Sequence, residues 1–423
     1  MNSEVEGAAL DAADPHFRSQ KSLPAALAER GLQRFVLGTA SWGTAHQLST
    51  LTQSYLVYDL TASSTYIAYL GASVGVPAVL LAGAGGMLAD RVPRKLLWMA
   101  GSGIAALAML IVTALYFADL LQPWHLLVAG IAQGTSLGLD WTARLSLLPT
   151  VVTRPAMVRA VVFDQVVFNS TRLIAPLIGG VVLATIGAGA AYVLMTGLFA
   201  STVTVVATLR PLVQERRETH PPVWAELGEL ASVVKQNSIL GVNLLFTAVN
   251  ATMLGGFVYL QPVFAADVFD VSETGLGFMV AAIGFGAVAG STMMTLTGGV
   301  RKAGPGLVVS NLAFIAAAVA YASNTAYALA LPLAFAIGLF NAVHVSLGIA
   351  AIQLNVSAEA RGKMIGLYEI AWGGFSLGGL LLGAIAAAAG PGVSVIAVAS
   401  ATGAITLILW LFSRSLRDLR IER

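Results

Sequence analysis

The sequence is dominated by twelve apolar runs of about 20 residues, separated by shorter polar or glycine-containing connections. A run of this length crosses the hydrocarbon core of a bilayer when it forms a helix. The residues of these runs do not alternate between apolar and polar, whereas the strands of a membrane barrel do. The sequence therefore predicts transmembrane helices. The runs are approximately 34–58, 65–88, 96–118, 124–149, 158–185, 190–209, 239–264, 275–297, 305–323, 326–351, 364–389 and 393–413.

The basic residues divide the connections into two classes. Of the 23 Lys and Arg, 21 lie at the termini or after even-numbered runs, and none follows an odd-numbered run. The connection after the seventh run instead carries Asp267, Asp270 and Glu273. Because loops rich in Lys and Arg stay on the cytoplasmic side, both termini and every even-numbered connection are predicted to be cytoplasmic. The two remaining arginines, Arg144 and Arg172, lie inside predicted spans.

Composition excludes several classes of protein. Only 10% of the residues are charged and 57% are hydrophobic, whereas soluble domains carry about 25% charge. Such a chain cannot cover a water-facing surface, so a soluble enzyme, a nucleic-acid-binding protein and a disordered scaffold are excluded. With no Cys, neither disulfides nor thiolate metal sites can form. Phosphate-loop, nucleophile-elbow and zinc-helix motifs are absent, so neither enzyme activity nor a metal or cofactor is expected.

The longest internal connection splits the chain into two parts of six runs each. The first 30 residues lack the features of a signal peptide, so the first run is expected to remain in the membrane. Sequence features recur at about half the chain length, and two parallel six-helix repeats are a recurrent transporter architecture. We predict an all-α membrane protein with five segments. These are a cytoplasmic N-terminal segment (1–33), a six-helix bundle (34–209), a linker with an amphipathic helix (210–238), a second bundle (239–413) and a cytoplasmic tail (414–423).

A charged motif follows the second run. It reads Gly86-Met-Leu-Ala-Asp90-Arg91-Val-Pro-Arg94-Lys95 and resembles the signature between helices 2 and 3 of the major facilitator superfamily. The flanking sequences resemble the branch that holds enterobactin and macrolide exporters. The resemblance implies alternating access by two bundles, with the motif acting as a latch against the start of the eleventh span. The alternative is a hairpin that only fixes topology through its positive charge.

A second motif lies in the fifth run, where Pro176, Gly179 and Gly180 resemble the Gly-Pro-x-x-Gly-Gly motif of antiporters in this superfamily. Ala175 stands where the first Gly is expected. Proline removes one helical hydrogen bond, and glycines allow close helix packing. A plain packing seam explains these residues equally well. The resemblance alone favours export over import.

Ionisable residues at membrane depth are costly and therefore are candidates for function. Asp140 and Arg144 lie four residues apart on one helical face. They are expected to form either a structural ion pair or a functional pair for which a substrate or a proton competes. Arg172 is expected to need an acid from another helix or an anionic substrate group. Proton-coupling candidates are Asp140, Asp164 and Glu369. The expected cavity residues are His46, Asp140, Arg144, Arg172, Asn250, Asn341 and His344, with aromatic contacts from Trp42, Phe163, Phe168, Phe257 and Trp372.

These features predict a secondary transporter that exports a small amphipathic organic compound, a drug or siderophore-like metabolite, in exchange for protons. A mostly apolar cavity with few charges suits such a substrate better than a sugar. A lipid or lysophospholipid flippase and a non-transporting membrane receptor remain alternatives. The expected partners are the lipid bilayer and a small-molecule substrate, with no nucleic acid. A monomer in the bacterial inner membrane is expected, with the proton gradient as energy source.

Overall fold

Long helices lie at the positions of the predicted spans. The computed structural model describes residues 29–153, 157–210, 238–296, 303–355, 368 and 371–417. A short helix (Gln261–Val263) and a π-helical turn (Phe264–Val268) follow α7, and a short helix (Arg414–Arg417) follows α12. The long helices are α1 (Arg30–Thr61), α2 (Ser64–Arg91), α3 (Arg94–Phe117), α4 (Pro123–Val151), α5 (Met157–Thr185), α6 (Ala188–Ala207), α7 (Ser238–Tyr259), α8 (Glu273–Leu296), α9 (Ala303–Ala322), α10 (Tyr327–Asn355), α11 (Gly374–Ala389) and α12 (Pro391–Phe412).

Eight of the described helices contain a stretch long and apolar enough to cross a membrane: α2, α3, α6, α7, α8, α9, α10 and α12. The protein is therefore a multi-pass membrane protein. Helices α1 and α4 carry polar and charged side chains that are buried against other helices, which lowers their hydropathy. Twelve membrane crossings, both cytoplasmic termini and the five-segment division stay predictions.

The packing of α7–α12 repeats that of α1–α6. Within the first group α1 packs on α5 and α6, α2 packs on α4, and α3 packs on α4 and α6. In the second group α7 packs on α11 and α12, α8 on α10, and α9 on α10 and α12. The connection between the groups, 211–237, lies outside the described residues. We call α1–α6 the first half and α7–α12 the second half.

The two halves pack against each other near one end of the bundle, through α2 with α11 and α5 with α8. A Cβ atom added to Gly71 would lie within 2.3 Å of the backbone nitrogen of Leu380. One added to Gly180 would lie 2.7 Å from the Cα of Gly277. Glycine is needed at these positions because the helix backbones themselves are in contact.

This closed end is formed by the tight turns that follow α1, α3, α5, the π-helical turn, α9 and α11. Five of these turns contain a residue with a positive φ angle, a conformation that lets the chain reverse within a few residues. In the turn after α9, Asn324 accepts a hydrogen bond from the Ala326 nitrogen. The positive-φ residues are Ala62, Asp119, Gly187, Asp270 and Gly390.

Two tyrosines of α1 join the halves at the closed end. Tyr58 donates a hydrogen bond to Asp267 Oδ2 over 2.5 Å, and Tyr55 donates to Glu273 Oε1 over 2.7 Å. Asp267 lies in the π-helical turn that interrupts the chain after α7. The π-helical turn thus places the Asp267 carboxylate, a hydrogen-bond acceptor, against the first half. Such π-helical turns are common at functional positions.

Candidate functional site

Asp140 lies at the centre of a polar cluster inside the first half. Its side chain has no exposed surface. Its Oδ2 atom accepts hydrogen bonds from Trp42 Nε1 (2.9 Å), Ser102 Oγ (2.7 Å) and Ser136 Oγ (2.7 Å). All three donors are neutral, and they come from α1, α3 and α4. Among the residues that the structure describes, neutral donors therefore solvate the Asp140 carboxylate and no cation pairs with it.

Arg144 pairs with Asp164 of α5, not with Asp140. Its Nη1 atom lies 2.6 Å from Asp164 Oδ2, and both side chains are buried. Thr39 of α1 donates to the other oxygen, Oδ1, over 2.7 Å. The sequence interpretation that paired Asp140 with Arg144 was wrong, because spacing along one helix cannot show which acid a neighbouring helix supplies.

The Arg144 guanidinium is surrounded by aromatic rings. Its Cζ atom lies 5.4 Å from the Trp42 ring centroid and 5.1 Å from those of Trp141 and Phe168. Cation–π attraction at such distances stabilises a desolvated guanidinium. The Arg144 charge is therefore stabilised both by the three rings and by the ion pair, which uses only one of its guanidinium nitrogens.

Arg172 connects this cluster to the second half. Its Cζ atom lies 4.8 Å from the Phe168 ring centroid and 4.6 Å from that of Trp372, which lies two residues before the start of α11. Arg172 is partly exposed, in contrast with the buried Arg144. The predicted cavity residue Arg172 thus lies where the two halves meet.

Polar residues on α1 face those on α4 at helical spacing. His46 lies against the rings of Trp42 and Phe199, with its Nε2 atom 3.4 Å from Ser136 Oγ. Gln53, two turns from His46 on α1, donates from its Nε2 atom to Oε1 of Gln133, one turn from Ser136 on α4, over 2.6 Å. His46 and Trp42 were predicted at the cavity, whereas Ser136, Gln53 and Gln133 were missed. Their signal was a stripe at helical spacing, with steps of three, four or seven residues, at 39, 42, 46 and 53 and at 133, 136, 140 and 144.

The second half contains a neutral polar network. Asn341 donates to Asn250 over 2.6 Å, Asn250 donates to Asn311 over 3.0 Å, and Asn311 donates to Thr406 over 2.7 Å. These four buried side chains join α10, α7, α9 and α12. Asn250 and Asn341 were predicted cavity residues, whereas Asn311 and Thr406 were missed because nothing in their local sequence sets them apart.

Two further predicted residues lie in the core of the second half. His344 is buried, with its Nδ1 atom 3.3 Å from the Leu307 carbonyl oxygen and its ring 5.8 Å from that of Phe246. Phe257 packs against Tyr321 at 4.9 Å between ring centroids. The described contacts of these residues are with the second half alone, so the structure does not join them to the charged cluster.

Two basic residues of the charged motif, Arg94 and Lys95, bind backbone carbonyls within the first half. Arg94 donates to Ser146 O over 2.7 Å, and Lys95 donates to Ala207 O and Leu209 O over 2.6 and 2.8 Å at the end of α6. Cations favour the C-terminal ends of helices. Gly86, Asp90 and Arg91 lie on α2, but their side-chain environment is outside the described part, so the latch stays a prediction.

The proline–glycine motif is a packing element in this structure. Pro176 lies within α5, a Cβ on Gly179 would lie 2.5 Å from Leu48 Cδ1 of α1, and Gly180 contacts Gly277 of α8. The motif therefore packs against both halves.

Glu369, the remaining proton-coupling candidate, falls outside the described residues. No cluster of metal-ligating side chains occurs among the residues that are described.

Residues 37–420 match the family described as transmembrane secretion effector, a branch of the major facilitator superfamily. The chain belongs to this family. Enterobactin exporter EntS of Escherichia coli O139:H28 (strain E24377A / ETEC) is 28% identical over 350 residues, which cover 79% of this chain and 81% of the relative. EntS of Shigella boydii serotype 18 (strain CDC 3083-94 / BS512) has the same identity and coverage. The protein is a transporter, not an enzyme.

Solved structures show the same fold at low sequence identity. The D-xylose–proton symporter has a TM-score of 0.69 at 12% identity, covering 92% of this chain and 99% of its own. A bacterial homologue of the human lysosomal transporter Spinster, inward-facing and occupied, scores 0.68 at 14% identity and covers 92% and 98%. The nucleoside transporter NupG scores 0.66 at 14% identity and covers 91% and 99%. The protein thus has the major facilitator fold.

Proposed function

We propose that this protein exports a small amphipathic organic compound across the bacterial inner membrane, in exchange for protons, by alternating access of its two halves. Membership of an exporter family and the similarity to enterobactin exporters support export. The absence of basic residues from the connections at the closed end supports an extracellular location for that end.

The contacts at the closed end support alternating access. The halves meet there through backbone-to-backbone packing at Gly71 and at Gly180 with Gly277 and through the hydrogen bonds of Tyr55 and Tyr58. With this end outside, the structure corresponds to a conformation closed to the exterior. Transport then requires these contacts to break while contacts at the other end form.

The surroundings of Asp140 carry the proposal of proton coupling. An ionised carboxylate buried without a counter-charge is costly, and a bound proton removes that cost. Asp164 lacks this property because Arg144 already compensates its charge. Of the two described acids in this cluster, Asp140 is therefore the one that a proton would neutralise, and opening of the surrounding helices would hydrate and ionise it. Protonation is thereby linked to the conformation of the first half.

Efflux measurements on the Asp140→Asn variant test the coupling. Everted membrane vesicles would be assayed across a panel of dyes, antibiotics and siderophores, with and without an uncoupler. We expect wild-type transport to need the pH gradient, and the variant to lose gradient-driven transport while retaining substrate exchange at equal pH. Asparagine keeps the size and an acceptor but cannot exchange the proton.

The matched control is Asp119→Asn, an exposed acid in the turn after α3, which should transport like wild type. Gradient-driven transport by the Asp140→Asn variant, or wild-type transport that resists the uncoupler, would disprove coupling at Asp140. Absence of flux for every compound in a panel that includes siderophores would oppose export itself.

A further inference from the structure

A line of polar side chains leads from the closed end of the first half to Asp140. On α1, which runs toward the closed end, Gln53 lies nearer to that end than His46. On α4, which runs away from it, Gln133 lies nearer to that end than Ser136, and Asp140 follows Ser136 by one turn, about 6 Å along the helix axis. Gln133 Nε2 also lies 3.5 Å from the His46 carbonyl oxygen. His46 and Ser136 therefore lie between the closed end and Asp140.

The hydroxyl group of Ser136 joins His46 to Asp140. Ser136 Oγ donates to Asp140 Oδ2 over 2.7 Å. Because a hydroxyl group carries a single proton, the Oγ atom can then only accept a hydrogen bond from His46 Nε2, which lies 3.4 Å away. A neutral imidazole that donates from Nε2 has its lone pair on Nδ1, and the Nδ1 atom of His46 is buried without a partner. The chain of hydrogen bonds is therefore directed from His46 toward the Asp140 carboxylate.

We infer that His46 and Ser136 relay protons to Asp140 from the side of the closed end. The inference rests on the proposed function, in which Asp140 is the acid that a proton neutralises. A proton that arrives at His46 forms the Nδ1–H bond, and the Nε2–H bond breaks as its proton passes to Ser136 Oγ. The original Ser136 O–H bond breaks in turn, and its proton forms the O–H bond of Asp140 Oδ2. One positive charge enters and the carboxylate becomes neutral, while His46 stays neutral with its proton on the other nitrogen.

The geometry of His46 controls when this relay can operate. Its distance of 3.4 Å from Ser136 Oγ exceeds the roughly 2.7–3.2 Å of a well-formed N–H···O hydrogen bond. The ring must therefore approach by a few tenths of an ångström, and catalytic hydrogen bonds commonly tighten in this way. Edge-to-face contacts with Trp42 and Phe199, at 4.9 and 5.0 Å between ring centroids, position the imidazole. Because Nδ1 is shielded from water in this conformation, the relay receives protons only after the closed end opens.

Hydrogen–deuterium exchange of the Asp140 carboxyl group tests the relay and needs no substrate. The purified full-length protein in detergent is transferred from light to heavy water in slightly acidic buffer, while infrared spectroscopy follows the C=O stretch of protonated carboxyl groups. The band that Asp140→Asn removes belongs to Asp140, and the rate of its isotope shift is the rate at which deuterons reach this acid.

Two variants interrupt the relay at different atoms. His46→Gln keeps an N–H donor near the position of Nε2 but cannot pass a proton between two nitrogens, and Ser136→Ala removes the hydroxyl group. Each should slow the exchange of the Asp140 carboxyl group at least roughly tenfold, because proton transfer through a positioned side chain is lost. A purely structural role as a hydrogen-bond donor would be retained in His46→Gln, so this variant separates the relay from simple hydrogen bonding.

Matched variants separate the relay from effects on packing. Ser136→Thr keeps the hydroxyl group and should restore most of the rate that Ser136→Ala loses. Ser102→Ala removes another donor to Asp140 Oδ2 but leaves the connection to His46, so its exchange should stay faster than that of Ser136→Ala. His125→Gln, at a partly exposed histidine near the start of α4, should exchange like wild type. Thermal unfolding checks that each variant is folded.

Two results would overturn the relay alone: a wild-type exchange rate in His46→Gln or Ser136→Ala, or exchange in Ser102→Ala that is as slow as in Ser136→Ala. Asp140 would still bind a proton, by another route, and the proposed function would stand. If no carboxyl band disappears in Asp140→Asn, Asp140 does not bind a proton, and both the relay and the proposed coupling at this residue are wrong.

Discussion

Replacing Gly71 with alanine should shift the protein away from the conformation described here. The new Cβ would lie 2.3 Å from Leu380 N and 2.5 Å from Gly379 C, whereas non-bonded heavy atoms prefer about 3.5–4.0 Å. Both neighbours are backbone atoms of the opposite half, so no side-chain rotation relieves the clash. Helices α2 and α11 must separate by roughly 1 Å.

The magnitude follows from the cost of overpacking, about 1–3 kcal/mol. This cost applies only while the halves are in contact at the closed end, so it acts as a bias between conformations. At about 1.4 kcal/mol per factor of ten, the population open at this end should rise by roughly 5- to 150-fold. The milder contact of Gly277→Ala, 2.9 Å from Gly180 O, should give a smaller shift in the same direction.

Electron–electron distance measurements between spin labels can detect this shift, because the chain contains no Cys and introduced cysteines are labelled uniquely. Labels at Ser63 and Ser272 report on the first and second halves at the closed end. We expect the Gly71→Ala variant to add a population at longer distance. Gly103→Ala is the matched control, since no atom lies within 4 Å of the added Cβ. Identical distance distributions for the two variants would refute the steric argument.

Two further substitutions test individual contacts. Arg144→Ala leaves Asp164 buried without its cation and should destabilise the protein by about 3–5 kcal/mol, measured as a lower unfolding temperature; adding Asp164→Ala should restore part of the loss, and no restoration would argue against the pair. Tyr58→Phe removes the hydrogen bond to Asp267 and should favour opening of the closed end by roughly two- to tenfold. Tyr69→Phe, at an exposed tyrosine of α2, is its control, and equal label distances in the two variants would show that the bond does not hold the halves together.

Many residues of the candidate site can be identified from the sequence, but their contacts in the folded protein cannot. Asp140, Arg144 and Asp164 stand out because charges are rare in apolar runs. Their pairing was not predictable, since an ion pair between α4 and α5 depends on how these helices rotate against each other. Ser102, Asn311 and Thr406 were missed because a single small polar residue in an apolar run is common and carries no signal by itself.

The sequence by itself determined the membrane class, the helical segments and the superfamily, because hydropathy and a short charged motif are local properties of the chain. It also predicted which residues are expensive to bury. Only the tertiary structure decided that Arg144 neutralises Asp164 and leaves Asp140 among neutral donors, and that Trp372 meets Arg172 across the two halves. These are contacts between residues far apart in the chain, and their geometry depends on close packing of helices at glycine positions such as Gly71 and Gly180.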